Sequence, residues 1–277
     1  GELQAALEAT EEALATFQDV GDRKGIAITR CNLGELLLLL GRPLDARKML
    51  EECERIDREN EGAPLACNIL CNLARVELVA CDDPAAEKLF QECLSRLPAE
   101  QDQELRAHAL AGLAEIFLNR GLEEAAEDAL REAEELSTKG AGQENRMYLR
   151  GLRMRLCRQR GELDASIALA GDQPGEEAGR YEAAHLAREL GAAYRDLGPD
   201  WADKTEKYLN RAAGEFENMG CPVEAAEVLG ELSVYWSLTG EEETAAENLR
   251  HAEQLLSSSQ LRPQLSRFTE LFKSRSP

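Results

Sequence analysis

Apolar residues recur along this chain at the three- and four-residue spacing of amphipathic helices, and glycine or proline repeatedly interrupts the pattern. The pattern predicts helices in pairs that return with a period near forty residues. The first three pairs share a small–large–small triplet in the second helix. The triplets are Ala46-Leu50-Cys53, Ala86-Phe90-Cys93 and Ala126-Leu130-Ala133. A fixed period of this kind indicates an array of helical repeats.

The predicted array is a single all-α solenoid domain that spans residues 1–277 and contains about six helix pairs. Its parts are a half repeat at 1–21, helix pairs at 24–60, 64–98, 102–139, 144–173, 177–219 and 223–258, and a C-terminal capping helix at 263–273. The fourth pair matches the pattern least well, because Ser166, Ala170 and Gln173 occupy its triplet. Since residues 1–21 look like the second half of a repeat, we expect a longer protein with fused domains upstream of Gly1.

A surplus of acidic residues limits the partners of the chain. The 53 acidic and 32 basic residues give a net charge of −21, which argues against general binding to nucleic acid or to an anionic membrane. No apolar run approaches the roughly 18 residues of a membrane-spanning helix. The eight cysteines form no Cys-x-x-Cys motif, and two of them occupy small apolar positions of the repeat. We therefore expect a reducing, cytoplasmic location.

The repeated pattern resembles the tetratricopeptide repeat (TPR). The resemblance rests on the dipeptide Leu33-Gly34, the turn residue Gly41 and the triplet Ala46, Leu50 and Cys53, and it extends over nearly the whole chain. The period near forty is similar to that of the longer MalT-like repeats and of the Leu-Gly-Asn scaffold proteins. The resemblance implies a right-handed superhelix whose first helices line a concave groove. It also implies a non-catalytic protein–protein interaction or ligand-sensing module of a larger regulatory protein, often a bacterial one.

Under this resemblance, the groove residues come from the first helix of each pair. They are Asn32, Glu35, Asn68, Asn72, Arg75, His108, Glu115, Tyr148, Arg155, Arg158, His185, Arg188 and Arg195. Asn32 and Asn72 fall where peptide-binding TPR domains carry an asparagine that holds the ligand backbone. Glu35 occupies a position that is basic in receptors of chaperone tails, so we do not expect that specificity. The expected ligand is a peptide, a helix or a small anion, and the expected partner is a protein or peptide, with an acidic one as an option.

One stretch is rich in arginine and contains no acidic residue. Its arginines are Arg146, Arg150, Arg153, Arg155, Arg158 and Arg160. One interpretation is that these side chains form ion pairs with glutamates of neighbouring helices. The other is an anion-binding wall, because the guanidinium group suits carboxylate and phosphate. An alternative function, binding of a nucleotide or nucleic acid, would use the same stretch.

The residues of known catalytic and metal sites do not come together in this sequence. His108, His185 and His251 belong to different repeats, and the chain has no Gly-rich phosphate loop and no His-Glu-x-x-His motif. We therefore predict no catalytic residue, no metal site and no cofactor. Tyr194 and Trp236 occupy the aromatic core position of their repeats. A self-assembling structural scaffold is the remaining alternative to a binding module.

Overall fold

The computed structural model describes residues 2–59, 65–98, 102–138, 143–171, 179–257, 259–261 and 264–268. Within these ranges the chain is helical and contains no β-strand. The α-helices are α1 (Glu2–Val20), α2 (Arg23–Leu39), α3 (Pro43–Arg58), α4 (Ala66–Val79), α5 (Asp83–Arg96), α6 (Gln103–Asn119), α7 (Glu123–Ser137), α8 (Gln143–Gln159), α9 (Leu163–Ala170), α10 (Arg180–Leu197), α11 (Ala202–Met219), α12 (Pro222–Leu238) and α13 (Glu242–Leu255). Short 3-10 helices occupy Pro199–Trp201 and Ser259–Leu261, and residues 264–268 are again helical.

The helices pack as neighbouring pairs, which run from α2 with α3 to α12 with α13. The first helices of successive pairs also lie side by side and form one layer, made of α2, α4, α6, α8, α10 and α12. This arrangement confirms the predicted all-α solenoid. The predicted ends at 60, 64, 139, 173, 177 and 258 lie outside the described residues, as do residue 263 and the part of the predicted cap beyond 268.

The triplets and the Leu-Gly dipeptide are packing positions. Ala46, Leu50 and Cys53 are all 0% exposed. A Cβ atom on Gly34 would lie 2.8 Å from the Leu50 side chain, so only glycine lets α2 approach α3 at this point. The same relation holds between Gly191 of α10 and Leu209 of α11. The residues that recur in the sequence are therefore those at which the two helices of a pair pack together.

Both predicted aromatic core positions pack in the core, but to different depths. Tyr194 is buried, whereas Trp236 is partly buried and packs against a core cluster, next to the buried Tyr235. The hydroxyl of Tyr235 donates a hydrogen bond of 2.9 Å to Glu206 on α11. Tyrosine fits this position because its ring is buried while its polar end finds a partner.

In one repeat, the turn after the first helix has a cysteine where other repeats have a glycine. Gly41, Gly121 and Gly161 end the first helices of their pairs with positive φ angles, and Cys81 occupies the equivalent position with φ 60°. A side chain in this left-handed conformation costs about 1 kcal/mol. We expect Cys81→Gly to raise the free energy of unfolding by about that amount in urea denaturation. Cys81→Ala keeps the Cβ atom and should bring no gain, so an equal gain from both variants would contradict the backbone explanation.

The C-terminal part of the solenoid returns to its first repeat. Gly41 lies so close to Pro222, at the start of α12, that a Cβ atom would overlap the proline ring. The side chain of Gln260 donates a hydrogen bond of 3.0 Å to Asp45 and accepts one of 3.1 Å from the backbone N–H of Leu44. These closing contacts join residues more than two hundred positions apart in the sequence.

Further contacts extend the closing contacts on both sides. Gln264 donates a hydrogen bond of 3.0 Å to the carbonyl of Val79 at the end of α4. Arg180, at the start of α10, forms an ion pair of 2.8 Å with Glu2 of α1. The superhelix therefore closes on itself, with its C-terminal repeats in contact with its first repeats.

Candidate functional site

The predicted groove residues all belong to the layer of first helices. Asn32 and Glu35 lie on α2, Asn68, Asn72 and Arg75 on α4, His108 and Glu115 on α6, Tyr148, Arg155 and Arg158 on α8, and His185, Arg188 and Arg195 on α10. We call the interior surface formed by α2, α4, α6, α8, α10 and α12 the inner surface.

Long-range electrostatic effects show that distant parts of the inner surface face one another. Burial is the largest influence on the pKa of Tyr148, His185 and Glu224, but Arg75 of α4 contributes to the pKa of all three. These groups belong to α8, α10 and α12, and charge effects fade beyond about 10 Å at ordinary salt concentration. The folding of the solenoid therefore brings predicted residues from separate repeats together around Arg75.

Arg75 forms an ion pair with Glu35, the residue at the equivalent position of the preceding repeat. The guanidinium Nη1 lies 2.8 Å from the carboxylate Oε1. The Glu35 side chain is 49% exposed and that of Arg75 is 24% exposed, so both remain open to solvent. Arg75 lowers the pKa of Glu35 below its usual value. This part of the inner surface is charged, internally paired and accessible.

His108 and His185 are neutral rings on the inner surface at neutral pH. Burial lowers the pKa of His108 to about 4 and that of His185 to about 3, and nearby arginines add to both shifts. The ring of His185 contacts Tyr181 and Phe216, with centroids at 4.6 and 4.9 Å. The ring of His108 lies 6.5 Å from that of Tyr148. Both histidines therefore contribute shape and apolar contact area, and neither contributes positive charge.

Three predicted arginines form a dense ion-pair cluster between α8, α10 and α12. Arg158 pairs with Glu189 (3.5 Å) and Asp196 (3.2 Å), Arg188 with Glu227 (2.5 Å), and Arg195 with Glu231 and with Asp196 (2.7 Å). We call these residues the charge network. Arg195 and Glu231 are its most buried pair, at 7% and 12% exposed. Burial acts to raise the pKa of Glu231, but Arg195 and the other two arginines lower it to about 2.

Arg155 differs from the other arginines of the inner surface because its partner is neutral. Its Nη2 donates a hydrogen bond of 2.8 Å to the side-chain oxygen of Asn119. No carboxylate of the described residues lies within ion-pair distance of Arg155, in contrast to Arg75 and to the charge network. Arg155 is therefore a cation that can accept a carboxylate from another molecule.

The three predicted asparagines keep most of their hydrogen-bonding capacity free. Asn32 is exposed and Asn68 is half-buried, and neither side chain forms a hydrogen bond with the described part of the chain. Asn72 donates to the sulfur of Cys31 at 3.4 Å, which is a weak acceptor. Each amide offers both a donor and an acceptor to a ligand.

Two carboxylates of the inner surface are held by tyrosine hydroxyl groups. Tyr148 donates a hydrogen bond of 2.6 Å to Glu115, and Tyr181 donates one of 2.7 Å to Glu224. Neither glutamate has a basic side chain within ion-pair distance in the ranges that the structure describes. Burial raises the pKa of Tyr181 well above its usual value, so its hydroxyl stays protonated and acts as the donor.

Comparison with known proteins decides the repeat type. The family model of the tetratricopeptide repeat matches residues 1–59, which contain α1 to α3. A solved Rap protein complexed with competence and sporulation factor has the same fold, with a TM-score of 0.57 at 16% sequence identity. The match covers 99% of this chain and 87% of that chain. The chain has a TPR-type repeat fold, and its first repeats match the family model itself.

Other comparisons add little to the description of this TPR domain. The solved structure of BtubC from P. vanneervenii gives a TM-score of 0.44 at 14% identity, covering 93% of this chain and 92% of that chain. A likeness at that level supports no argument. A search of curated proteins finds no significant match.

Three of the six arginines of the arginine-rich stretch form ion pairs with acidic residues of neighbouring helices. Arg153 pairs with Glu134 (2.8 Å) and Glu127 (2.6 Å) of α7, and Arg160 pairs with Glu127 (2.8 Å). Arg158 belongs to the charge network. These pairs favour the interpretation of intramolecular ion pairs over a continuous phosphate-binding wall.

Sequence reasoning missed Glu224 and Glu231 of α12, although the repeat contains a signal for both. Glu231 directly follows a Leu-Gly dipeptide, as Glu35 does. Glu224 precedes Glu231 by seven residues, the same spacing that separates Tyr148 from Arg155. Two helical turns bring residues back to the same face. Alignment of the sixth pair on its dipeptide would therefore have added both carboxylates to the groove.

The described part of the TPR domain shows no group of three or more metal-ligating side chains close enough to hold a metal ion. None of its described helices combines the length and apolar character needed to cross a bilayer. All eight cysteines are free thiols.

Proposed function

We propose that this TPR domain is a non-catalytic, cytoplasmic module of a larger regulatory protein that binds an extended peptide segment of a partner on its inner surface. The observation that carries the proposal is the set of unpaired amides, Asn32 and Asn68, together with the weakly bonded Asn72. An extended peptide has free backbone N–H and C=O groups along its length. Asparagine side chains can bond to both kinds of group, whatever the peptide sequence.

The charges of the inner surface favour a peptide over the other expected ligands. A bound helix has already paired its own backbone groups, so it would leave the asparagines without partners. Among the predicted groove arginines, a small anion would find only Arg155 without a carboxylate partner, because Arg75 and the charge network are paired internally. A peptide can use the amides along its backbone and place one carboxylate at Arg155.

The shared fold provides a precedent for partner binding. The solved Rap protein is complexed with competence and sporulation factor. We infer that the present domain also accommodates a separate molecule, on its inner surface.

The proposal predicts that removing inner-surface amides weakens peptide binding. The probe is a pool of random pentapeptides with a fluorophore at the carboxyl terminus, followed by fluorescence anisotropy. Loss of two hydrogen bonds of about 1 kcal/mol each should weaken binding of the pool by about tenfold or more in the double variant Asn32→Ala/Asn68→Ala.

Asn210→Ala is the matched control for this experiment, because Asn210 is an exposed amide on α11, outside the layer of first helices. The control should bind like the wild type, and circular dichroism should show the same helix content for all three proteins. Equal affinity of the wild type and the double variant would contradict binding by these amides.

A further inference from the structure

The acidic residues of the inner surface fall into two groups. Glu35, Glu227 and Glu231 each form an ion pair with an arginine. Glu115 and Glu224 have only a tyrosine hydroxyl as a side-chain partner. The second group therefore carries negative charge that no basic side chain of the described residues balances at contact distance.

Glu224 has neighbours on three helices, α4, α10 and α12. Tyr181 of α10 donates to it at 2.7 Å, Glu227 lies one turn further along α12, Cys221 lies at the start of the same helix, and Arg75 of α4 acts from across the interior. Burial raises the pKa of Glu224 to about 7, while Tyr181 and Arg75 lower it only in part. The residue is half-buried, so a ligand can still reach it.

A buried carboxylate without a cation is costly, and a cation brought by a ligand removes that cost. We infer that Glu224, held in place by Tyr181, is a subsite for a cationic group of the bound peptide. The group is the peptide's α-ammonium or the side chain of a lysine or arginine. This inference rests on the proposed function and adds that the preferred ligand is basic at one position, whereas the sequence left an acidic partner as an option.

The subsite couples binding to proton release. A cation next to Glu224 favours its ionised form, so the proton held near neutral pH leaves when the ligand binds. Affinity for a cationic peptide should therefore rise with pH as Glu224 ionises. For a pKa near 7 the ionised fraction changes about tenfold between pH of about 6 and 8, and affinity should change by a similar factor.

Three pentapeptide pools with the same carboxy-terminal fluorophore test the subsite by anisotropy. The first has a free amino terminus and neutral side chains, the second an acetylated terminus and one lysine or arginine, and the third an acetylated terminus and neutral side chains only. If the second pool supplies the cation, we expect it to bind about tenfold more tightly than the third at pH of about 8, with a smaller advantage at pH of about 6. If the first pool supplies it, the advantage should be largest near neutral pH, because the α-ammonium group loses its proton with a pKa of about 8. The pool that binds more tightly than the third identifies the cation as the α-ammonium group or as a side chain.

Glu224→Gln keeps the size of the side chain and an acceptor for Tyr181, and it should abolish the advantage of the cationic pool at every pH. Glu247→Gln removes the same charge from an exposed position on α13 and should leave the advantage intact. An advantage that survives in Glu224→Gln, or a loss that affects the neutral pool equally, would overturn the subsite.

The outcome also separates the subsite from the proposed function. Equal binding of all three pools, still weakened by Asn32→Ala/Asn68→Ala, would overturn the cation subsite and leave peptide binding in place. Failure of every pool to bind would overturn both.

Discussion

Replacement of Glu231 by glutamine is expected to lower the free energy of unfolding by about 3 kcal/mol, because the buried guanidinium of Arg195 loses the more buried of its two carboxylate partners. Arg195 is 7% exposed and Glu231 is 12% exposed, so water cannot replace the lost carboxylate. The remaining acid in contact with Arg195 is Asp196, which also pairs with Arg158. Urea denaturation followed by circular dichroism at neutral pH measures the loss.

The stability difference between the wild type and Glu231→Gln should depend on pH. Glu231 has a pKa of about 2 in the folded protein and an unperturbed value of 4.5. Its contribution to stability is therefore complete above a pH of about 4.5 and is lost as pH falls toward about 2. The gap in stability between wild type and Glu231→Gln should be constant at higher pH and should narrow through this window. A gap of the same size at a pH of about 3 and at neutral pH would show that the charge is not the cause.

Phe90→Ala is expected to lower the free energy of unfolding by about 3–5 kcal/mol. Phe90 is the large member of the second triplet, is 0% exposed, and packs between α5 and α6 in a cluster with Cys71 and Ile116. Its ring covers the backbone of Gly112 so closely that a Cβ atom there would overlap it. Alanine would leave a cavity that rigid neighbouring helices cannot fill. Urea denaturation measures this loss as well.

A double-mutant cycle with Gly112 tests whether this contact is the reason. Gly112→Ala should destabilise the wild type, because the new methyl group meets the Phe90 ring. In the Phe90→Ala background the same change should be neutral or stabilising, since the methyl group enters the cavity and alanine favours the helix. Additive effects of the two substitutions would exclude direct coupling between these positions.

The packing of the two helices within each pair was predictable because the same residue pattern recurs from pair to pair. The triplet Ala46, Leu50 and Cys53 specifies contacts between helices that are adjacent in the chain, and such contacts recur in each copy of the repeat. The closing contacts were not predictable in this way. Gly41 and Pro222 meet only because small rotations between successive repeats add up to bring the last repeat back to the first, and no local pattern records that sum.

The helices that carry the candidate site were predictable, but its electrostatics were not. The period placed Arg75, Arg155 and Arg195 on first helices, and they lie on α4, α8 and α10. Whether each of these arginines has a carboxylate partner depends on residues from other repeats. Arg195 meets Glu231 from the next repeat, while Arg155 meets the neutral Asn119. Sequence alone shows the number of charges, whereas their pairing depends on how the helices stack.

The contact between Gly41 and Pro222 has a consequence for how this molecule can vary. An open solenoid tolerates gain or loss of a repeat, because its ends touch nothing. Here an additional repeat would carry Pro222 past the α2–α3 turn, and a deleted one would stop short of it. The number of repeats between the α2–α3 turn and Pro222 is therefore fixed by this contact.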